Sequence, residues 1–490
     1  MDIILSILNG FVKNILTKPA FFIGFLVLIG YLLDGKKWYE ALAGFIKATV
    51  GYMILMVGSG GLVSTFRPIL TGLKDRFNIS ATVIDPYFGQ NAVTEGMEHL
   101  GKSFSQVMIL LLVAFIVNII LVRLKNITKM RAVFTTGHVQ MQQAATAFWL
   151  IVFCFPKLGQ TPILVIMAIL LGLYWAVGSN LTVEDTQRLT DGAGFCIAHQ
   201  QMFGIRLACW LSDKLFANKK DQSKDIDDIE LPGFLSIFNE NNENMVATAI
   251  LMTLFFGIIQ GVLGKEYLVA QEALTMEDNF FFYILQSSFS FAVNLAILQL
   301  GVRTFVGELT ASFDGIQNKL LPGALPGIDC AAVFGFGAAN AVTIGFMFGA
   351  LGQFLAIAIL FLLKSPTLII AGFVPLFFDN AVIGVYANNR GGYKAAFLMP
   401  FISGLIQVFG SAFIATYTGL AQYGGYLGMF DWATVWPAFT VLINNIQYVG
   451  VAIVAIFLIV IPQIQYKKNK KGYFMITEDY EKYKETIENK

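Results

Sequence analysis

The chain has 490 residues, of which 56% are hydrophobic and 13% are charged, and its formal net charge is +1. An ordinary soluble domain carries about 25% charged residues, so this composition excludes a soluble globular protein and predicts a polytopic helical membrane protein. The long unbroken apolar runs exclude a membrane β-barrel, and the balanced charge gives no indication of a nucleic-acid partner.

The predicted elements begin with residues 1–16, which suit either an amphipathic helix at the membrane interface or a slightly polar extension of the first span. Ten spanning segments follow in chain order: 20–33, 41–58, 106–122, 144–155, 162–178, 246–263, 279–302, 342–363, 396–416 and 438–462. Between them, residues 59–105, 179–212, 305–341 and 366–395 mix glycine, proline and isolated charges with apolar residues. Irregular backbone at membrane depth must be covered by protein or line a cavity, so we predict broken helices, re-entrant hairpins and interfacial helices there.

We predict a membrane domain over residues 1–465, with halves at approximately 1–240 and 241–465, and a charged tail over residues 466–490. Four lysines within residues 467–471 (KKNKK) come directly after the last predicted span. Because basic residues accumulate on the cytoplasmic side of spanning helices, this cluster predicts a cytoplasmic C-terminus.

Two short motifs that recur in the same order indicate an internal repeat. Residues 60–66 (GGLVSTF) resemble residues 307–313 (GELTASF), and each motif is followed by an Ile-Asp pair that ends at Asp85 or Asp329. Corresponding interrupted segments in two halves are typical of transporters built from structural repeats, whose binding sites lie near the membrane midplane. Chance similarity between short motifs is the alternative.

The two aspartates of this repeat have different sequence surroundings. Asp85 precedes Pro86, which favours a helix cap over a functional carboxylate. Asp329 precedes small residues, Cys330 and two alanines, which leave space around the side chain and favour the functional carboxylate. Either one could accept hydrogen bonds from hydroxyl groups or carry a proton.

Histidine and glutamine concentrate in two clusters within this apolar sequence. His138 and Gln142 are four positions apart, so a helix would place them on one face, whereas His199 and Gln200 are adjacent. Unpaired polar groups at membrane depth are costly, so these side chains either face a polar ligand or tie helices together. Four such residues in two clusters favour a ligand rich in hydroxyl groups. Because the two histidines are far apart in sequence, no metal site is predicted.

Five motifs that occur in order carry a family resemblance. They are residues 136–143 (TGHVQMQQ), 191–201 (DGAGFCIAHQQ), 231–238 (LPGFLSIF), 321–324 (LPGA) and 328–332 (IDCAA). Together they resemble the L-ascorbate-specific enzyme IIC permeases of the bacterial phosphotransferase system, and the resemblance runs from the N-terminus to about residue 462.

The resemblance implies an all-α membrane protein with about eleven spanning helices, two structural repeats and an elevator-type movement. It also implies a homodimer in the lipid bilayer of the bacterial inner membrane. Separate cytoplasmic IIA and IIB phosphocarrier proteins would phosphorylate the substrate as it enters, producing ascorbate 6-phosphate. The chain itself would be a transport subunit and not an enzyme, with no catalytic residue, cofactor or metal.

Transferred position by position, the resemblance implies a substrate site at Ser59, Tyr87, His138, Gln142, His199, Gln200 and Asp329. Members that carry ascorbate usually have threonine before the tyrosine, whereas this chain has Pro86, which we include in the candidate site. Because proline has neither a hydroxyl nor a backbone N–H, a related sugar acid or polyol is an alternative substrate.

A proton-coupled secondary transporter of a polar small molecule, with Asp85 or Asp329 as the proton carrier, is the alternative function. An integral membrane enzyme would need a nucleophile, metal or cofactor motif, and the sequence offers none.

Overall fold

The computed structural model describes residues 18–77, 80–102, 105–216, 226 and 244–488, and these residues form mostly helices. The helices before residue 240 are α1 (Pro19–Leu33), α2 (Trp38–Phe77), α3 (Pro86–His99), α4 (Ser105–Arg123), α5 (Lys125–Thr128), α6 (Gly137–Cys154), α7 (Gln160–Leu189) and α8 (Met202–Phe216). Those after it are α9 (Asn244–Leu263), α10 (Lys265–Ala270), α11 (Phe280–Leu320), α12 (Ala339–Leu362), α13 (Asn380–Tyr417), α14 (Phe430–Ala433), α15 (Val435–Lys468), α16 (Gly472–Glu478) and α17 (Tyr480–Tyr483). The element predicted at residues 1–16 and the motif at residues 231–238 lie outside the described residues.

Within the described ranges, five helical segments are long and apolar enough to cross a membrane: Trp38–Gly58, Gln160–Leu189, Asn340–Leu362, Val374–Tyr417 and Phe430–Lys468. Three shorter apolar helices accompany them: Ile23–Leu33, Ile109–Arg123 and Met252–Leu263. A helix needs about 20 apolar residues to cross the hydrocarbon core. The prediction of a polytopic helical membrane protein is therefore confirmed.

Three helices extend beyond the points where the sequence predicted a break. Helix α2 continues through residue 59 to Phe77, α11 continues through residue 305 to Leu320, and α7 continues past residue 178 to Leu189. Close helix packing explains Gly61, one of the glycines at the first predicted break. A Cβ atom at Gly61 would lie 2.1 Å from Oδ1 of Asn294, so glycine here lets α2 approach α11 instead of ending the helix.

Two three-stranded parallel sheets lie between the helices and join the two parts of the chain. The first sheet has the order β5 (Thr367–Ala371), β1 (Ser80–Ile84), β6 (Gly425–Tyr426), and the second has the order β2 (Ala132–Phe134), β4 (Leu325–Ile328), β3 (Cys196–Ile197). In each sheet the central strand comes from one part of the chain and both neighbours come from the other. Pairing of these distant segments satisfies backbone N–H and C=O groups that water does not reach.

The centre of the second sheet requires glycine at position 327. Gly327 is paired with Phe134 on one side and with Cys196 on the other. A Cβ atom at this position would lie 2.5 Å from Cβ of Ala198 and 2.9 Å from the carbonyl oxygen of Val133. Only a residue without a side chain fits, so this glycine allows three strands to meet closely.

The C-terminal segment packs against the amino ends of the same three strands. Helix α15 is continuous across the predicted boundary at residue 465, and α16 and α17 follow it. The side chains of Ile476 and Tyr483 are buried in a cluster that also contains the first residue of each strand, namely Ala132, Cys196 and Leu325. This segment therefore covers the amino ends of the strands of the second sheet, and the candidate site lies at their carboxyl ends.

A buried arginine connects the C-terminal segment to the strand β2. The guanidinium of Arg131 lies 3.7 Å from the centre of the Tyr473 ring and donates a hydrogen bond to the Tyr473 carbonyl oxygen. Its Nε also donates a 3.1 Å hydrogen bond to Oδ1 of Asn180. A cation removed from water needs such partners, so these contacts fix the position at which β2 begins.

Candidate functional site

Three predicted site residues lie at the carboxyl ends of the three strands of the second sheet. His138 follows β2 at the start of α6, His199 follows β3, and Asp329 follows the central strand β4. Because these strands are parallel, their carboxyl ends meet at one edge of the sheet. The side chains of His138, His199 and Asp329 are 7%, 6% and 21% exposed, so the carboxylate is the most accessible of the three.

One carboxylate oxygen faces both imidazole rings. Oδ2 of Asp329 lies 3.3 Å from Nε2 of His138 and 3.9 Å from Nε2 of His199. The other oxygen, Oδ1, accepts a 2.9 Å hydrogen bond from the backbone N–H of Ala331. This bond caps the short 3-10 turn Cys330–Gly335 and holds the carboxylate in its orientation.

Hydrogen bonds to Gln201 determine which nitrogen of His199 carries the proton. Oε1 of Gln201 lies 3.0 Å from the backbone nitrogen of Gln200 and 2.8 Å from Nδ1 of His199. A backbone N–H only donates, so this Gln201 atom is the amide oxygen, and His199 Nδ1 must donate to it. Nε2 of the neutral His199 ring is then an acceptor that faces another acceptor, the Asp329 carboxylate.

The glutamines of the two clusters also contact each other. Nε2 of Gln200 donates a 2.7 Å hydrogen bond to Oε1 of Gln142, and the Tyr87 phenol lies near Gln142. Oε1 of Gln200 and Nδ1 of His138 are buried without a hydrogen-bond partner among the described residues. Leaving a buried polar atom unpaired costs about 1–3 kcal/mol, so these atoms suit a ligand that supplies hydrogen bonds.

The aspartate that corresponds to Asp329 in the first sheet has a different environment. Asp85 follows the central strand β1 and is buried, and its Oδ1 accepts a 3.0 Å hydrogen bond from the backbone N–H of Tyr87. Its Oδ2 accepts a 3.2 Å hydrogen bond from the backbone N–H of Val374. Because both oxygens are occupied by backbone donors, the interpretation of Asp85 as a helix cap is confirmed.

The remaining predicted residues divide between two helices. Pro86 and Tyr87 are buried at the first two positions of α3, and Tyr87 reaches the site through its contact with Gln142. Ser59 lies within α2, but its side chain lies outside the described part of the structure. The fold therefore brings His138, Gln142, His199, Gln200 and Asp329 together after the strands of the second sheet, and Tyr87 approaches them from α3, which follows the first sheet.

Sequence reasoning missed Asp431, which anchors the loop containing His199 and Gln200. The backbone N–H of Asp431 donates a 3.2 Å hydrogen bond to the carbonyl oxygen of Gln200. Its carboxylate accepts hydrogen bonds from the Tyr174 hydroxyl at 2.7 Å and from the backbone nitrogens of Phe203 and Gly204 at 3.1 and 3.0 Å. The two backbone donors lie in the first turn of α8, where four N–H groups lack helical partners. An isolated aspartate in the apolar segment 429–433 (MFDWA) was the available signal.

Replacing Asp431 by alanine is expected to lower the free energy of unfolding by about 1–3 kcal/mol, since it leaves buried donors on α8 and Tyr174 unpaired. The midpoint of thermal unfolding in detergent measures this effect. In a double-mutant cycle, Tyr174→Phe should cost less in the Asp431→Ala background than in the unmodified protein. Purely additive losses would contradict the coupling between these two side chains.

Comparison with known proteins gives two consistent similarities. Residues 14–438 match a family model, EIIC-GAT, described as the PTS system sugar-specific permease component. The chain is also 35% identical over 440 residues to the "Ascorbate-specific PTS system EIIC component" of Mycoplasma pneumoniae (strain ATCC 29342 / M129 / Subtype 1). This alignment covers 83% of the chain and 66% of the relative, so the chain spans just under two thirds of that relative's length. The range matched by the family model includes every candidate site residue.

Proposed function

The chain belongs to the EIIC-GAT family of PTS sugar-specific permease components, and from this we propose that it binds and translocates L-ascorbate or a related sugar acid or polyol. A separate cytoplasmic IIB protein, itself phosphorylated by a IIA protein, would phosphorylate the substrate as it enters. The chain is then a transport subunit that performs no phosphoryl transfer itself. The name of the Mycoplasma relative, an ascorbate-specific component, supports the choice of L-ascorbate.

The observation that carries this proposal is the surplus of hydrogen-bond acceptors around Asp329. Nε2 of His199 faces Oδ2 of Asp329 at 3.9 Å, and the amide oxygen of the next residue, Gln200, is buried without a partner among the described residues. Neighbouring hydroxyl groups on a small ring compound could donate hydrogen bonds to these atoms simultaneously. Such polar groups at a few fixed positions are how small-molecule sites select their ligand.

Each residue has a defined part in this proposal. His138, His199 and Asp329 hold substrate hydroxyls, and Gln142 and Gln200 hold one another in position while Gln200 presents its free oxygen. Tyr87 contributes a phenol and the shape of one wall, and Ser59 belongs to the proposed set by resemblance. Pro86 supplies no hydrogen-bond donor, so the substrate hydroxyl that a threonine would bind must find another partner.

We also propose the larger architecture that the family resemblance implies. The protein would have about eleven spans, act as a homodimer in the bacterial inner membrane with its C-terminus in the cytoplasm, and move its substrate by an elevator-type displacement. Two structural repeats are supported by the reciprocal sheets, in which the central strands β1 and β4 each pair with two strands from the other half. Asp85 and Asp329 then occupy corresponding positions at the ends of those strands.

Coupled phosphorylation distinguishes this function from proton-coupled transport. We expect inside-out or reconstituted vesicles to convert L-ascorbate to a phosphorylated product only when phosphoenolpyruvate and the soluble phosphocarriers, including the matching IIA and IIB proteins, are present. Radiolabelled substrate and chromatographic separation of the product measure this. Accumulation of unmodified substrate driven by a proton gradient alone would instead support a secondary transporter with Asp329 as the proton carrier.

A further inference from the structure

We infer that His138, His199 and Asp329 form a binding site for a divalent transition-metal ion, Zn²⁺ in particular, and that the ion competes with the substrate for these atoms. The metal site stands on geometry and does not depend on the proposed function. The competition rests on the proposed function, because it requires that L-ascorbate use the same three side chains.

The first argument is the spacing of the three potential ligand atoms. One nitrogen from each histidine and one oxygen of Asp329 all lie within 4.8 Å of one another, and the two contacts to the carboxylate are 3.3 and 3.9 Å. Tetrahedral Zn²⁺ holds nitrogen and oxygen ligands at about 2.0–2.2 Å, which places neighbouring ligand atoms roughly 3.3–3.5 Å apart. Small side-chain movements would therefore bring all three atoms to bonding distance.

The second argument is the protonation of His199. Its Nδ1 donates to Oε1 of Gln201, and that oxygen is identified independently by the Gln200 backbone N–H that also donates to it. The ring is thus held with Nε2 unprotonated and directed towards the carboxylate. This is how metal-binding histidines are prepared, by an acceptor that fixes the proton on the nitrogen remote from the metal.

His138 is free to adopt the same state. Its Nε2 lies 3.3 Å from the Asp329 carboxylate, while its buried Nδ1 has no hydrogen-bond partner among the described residues. The proton can therefore move to Nδ1 when a metal ion replaces the hydrogen bond that Nε2 donates to Asp329, and this leaves Nε2 available to the metal. Two neutral imidazoles and one carboxylate, with a fourth position open to water, form a common set of zinc ligands.

The first sheet provides an internal comparison. Asp85 ends the corresponding central strand, but its two oxygens are occupied by the backbone N–H groups of Tyr87 and Val374. Asp329 commits only one oxygen to a backbone donor and directs the other at two imidazoles. Of the two sheets among the described residues, the second alone therefore has the ligand set, which the sequence did not predict.

The metal site is tested on the full-length protein, purified in detergent with an affinity tag that contains no histidine and freed of metal by a chelator. Zn²⁺ binding is measured by calorimetry, and Co²⁺ is titrated as a spectroscopic substitute whose visible absorption reports tetrahedral coordination. We expect one ion per chain. His199→Ala and Asp329→Asn should each weaken Co²⁺ binding at least about tenfold, and Gln201→Ala, which removes no ligand, should weaken it by roughly the same factor.

His99→Ala is the matched control. The chain has three histidines, and His99 is the one outside the proposed metal site, exposed on α3. It should bind Co²⁺ as tightly as the unmodified protein. Gel filtration and thermal unfolding of each variant identify losses caused by misfolding. Equal Co²⁺ affinity in the unmodified protein, His199→Ala and Asp329→Asn, or loss on His99→Ala, would overturn the assignment.

Competition is measured by repeating the Zn²⁺ titration with saturating L-ascorbate, which should raise the apparent dissociation constant of the ion. If L-ascorbate binds but leaves Zn²⁺ affinity unchanged, the competition is overturned. If the same preparation binds Zn²⁺ but no L-ascorbate, the metal site stands and the proposed substrate fails.

Discussion

L-ascorbate is expected to bind roughly 10–100-fold more weakly when His199 is replaced by alanine or Asp329 by asparagine. A hydrogen bond to a charged group contributes about 1.5–3 kcal/mol, and removing one partner leaves the others buried and unpaired. For Asp329 the loss includes the carboxylate oxygen that faces both His138 and His199. Equilibrium binding of radiolabelled L-ascorbate to the purified protein measures the change.

The exposed His99 again provides the control, since His99→Ala removes an imidazole that is packed against the Tyr423 ring and lies away from these atoms. Its affinity for L-ascorbate should be unchanged. Gel filtration of all three variants checks assembly independently of binding. Normal affinity in both His199→Ala and Asp329→Asn would show that these side chains do not bind the substrate. They would then serve only to tie helices together, the alternative that the sequence left open.

The largest loss of stability is expected from Asp185→Ala, at about 3–5 kcal/mol. The Asp185 side chain is fully buried on α7 and pairs with Arg206 of α8 and Arg390 of α13. Nη1 of Arg206 donates to both of its oxygens, at 3.0 and 2.9 Å. Removing the carboxylate leaves Arg206 without this partner and leaves Arg390 with only its 4.0 Å contact to Asp213. The midpoint of thermal unfolding in detergent should fall accordingly.

The neighbouring residue offers a matched control for this prediction. Glu184 pairs with Arg188 one helical turn later on α7, and both side chains are about one third exposed, at 31% and 29%. Such a partly exposed pair contributes about 0.3–0.5 kcal/mol, so Glu184→Gln should barely change the unfolding midpoint. Equal effects of Asp185→Ala and Glu184→Gln would show that burial does not set the strength of these ion pairs.

The class of the protein and its family could be read from the sequence. Apolar composition and long hydrophobic segments predicted a helical membrane protein, because a chain in lipid must cover itself with apolar side chains and satisfy its backbone internally. The ordered motifs around His138, His199 and Asp329 predicted the permease family that the comparisons confirm. The role of Asp85 as a cap was also predictable, since it follows from the adjacent Pro86.

The helix ends near the glycine motifs were harder to predict. Glycine in a sequence suggests a break, yet Gly61 lies within a continuous helix because Asn294 of another helix occupies the space that a side chain would need. Whether a glycine ends a helix or accommodates a neighbour depends on what packs against it. Local sequence does not contain that information.

The sequence by itself determined which residue types were available to bind a ligand, and it placed them in two clusters and a repeated Ile-Asp pair. Only the tertiary structure decided that these segments converge. The strands that bring them together are only two to four residues long, too short for a periodic pattern, and their pairing depends on satisfying buried backbone groups across distant parts of the chain. For the same physical reason two histidines that are remote in sequence share one carboxylate oxygen, which gives the site both its proposed substrate chemistry and its inferred affinity for metal.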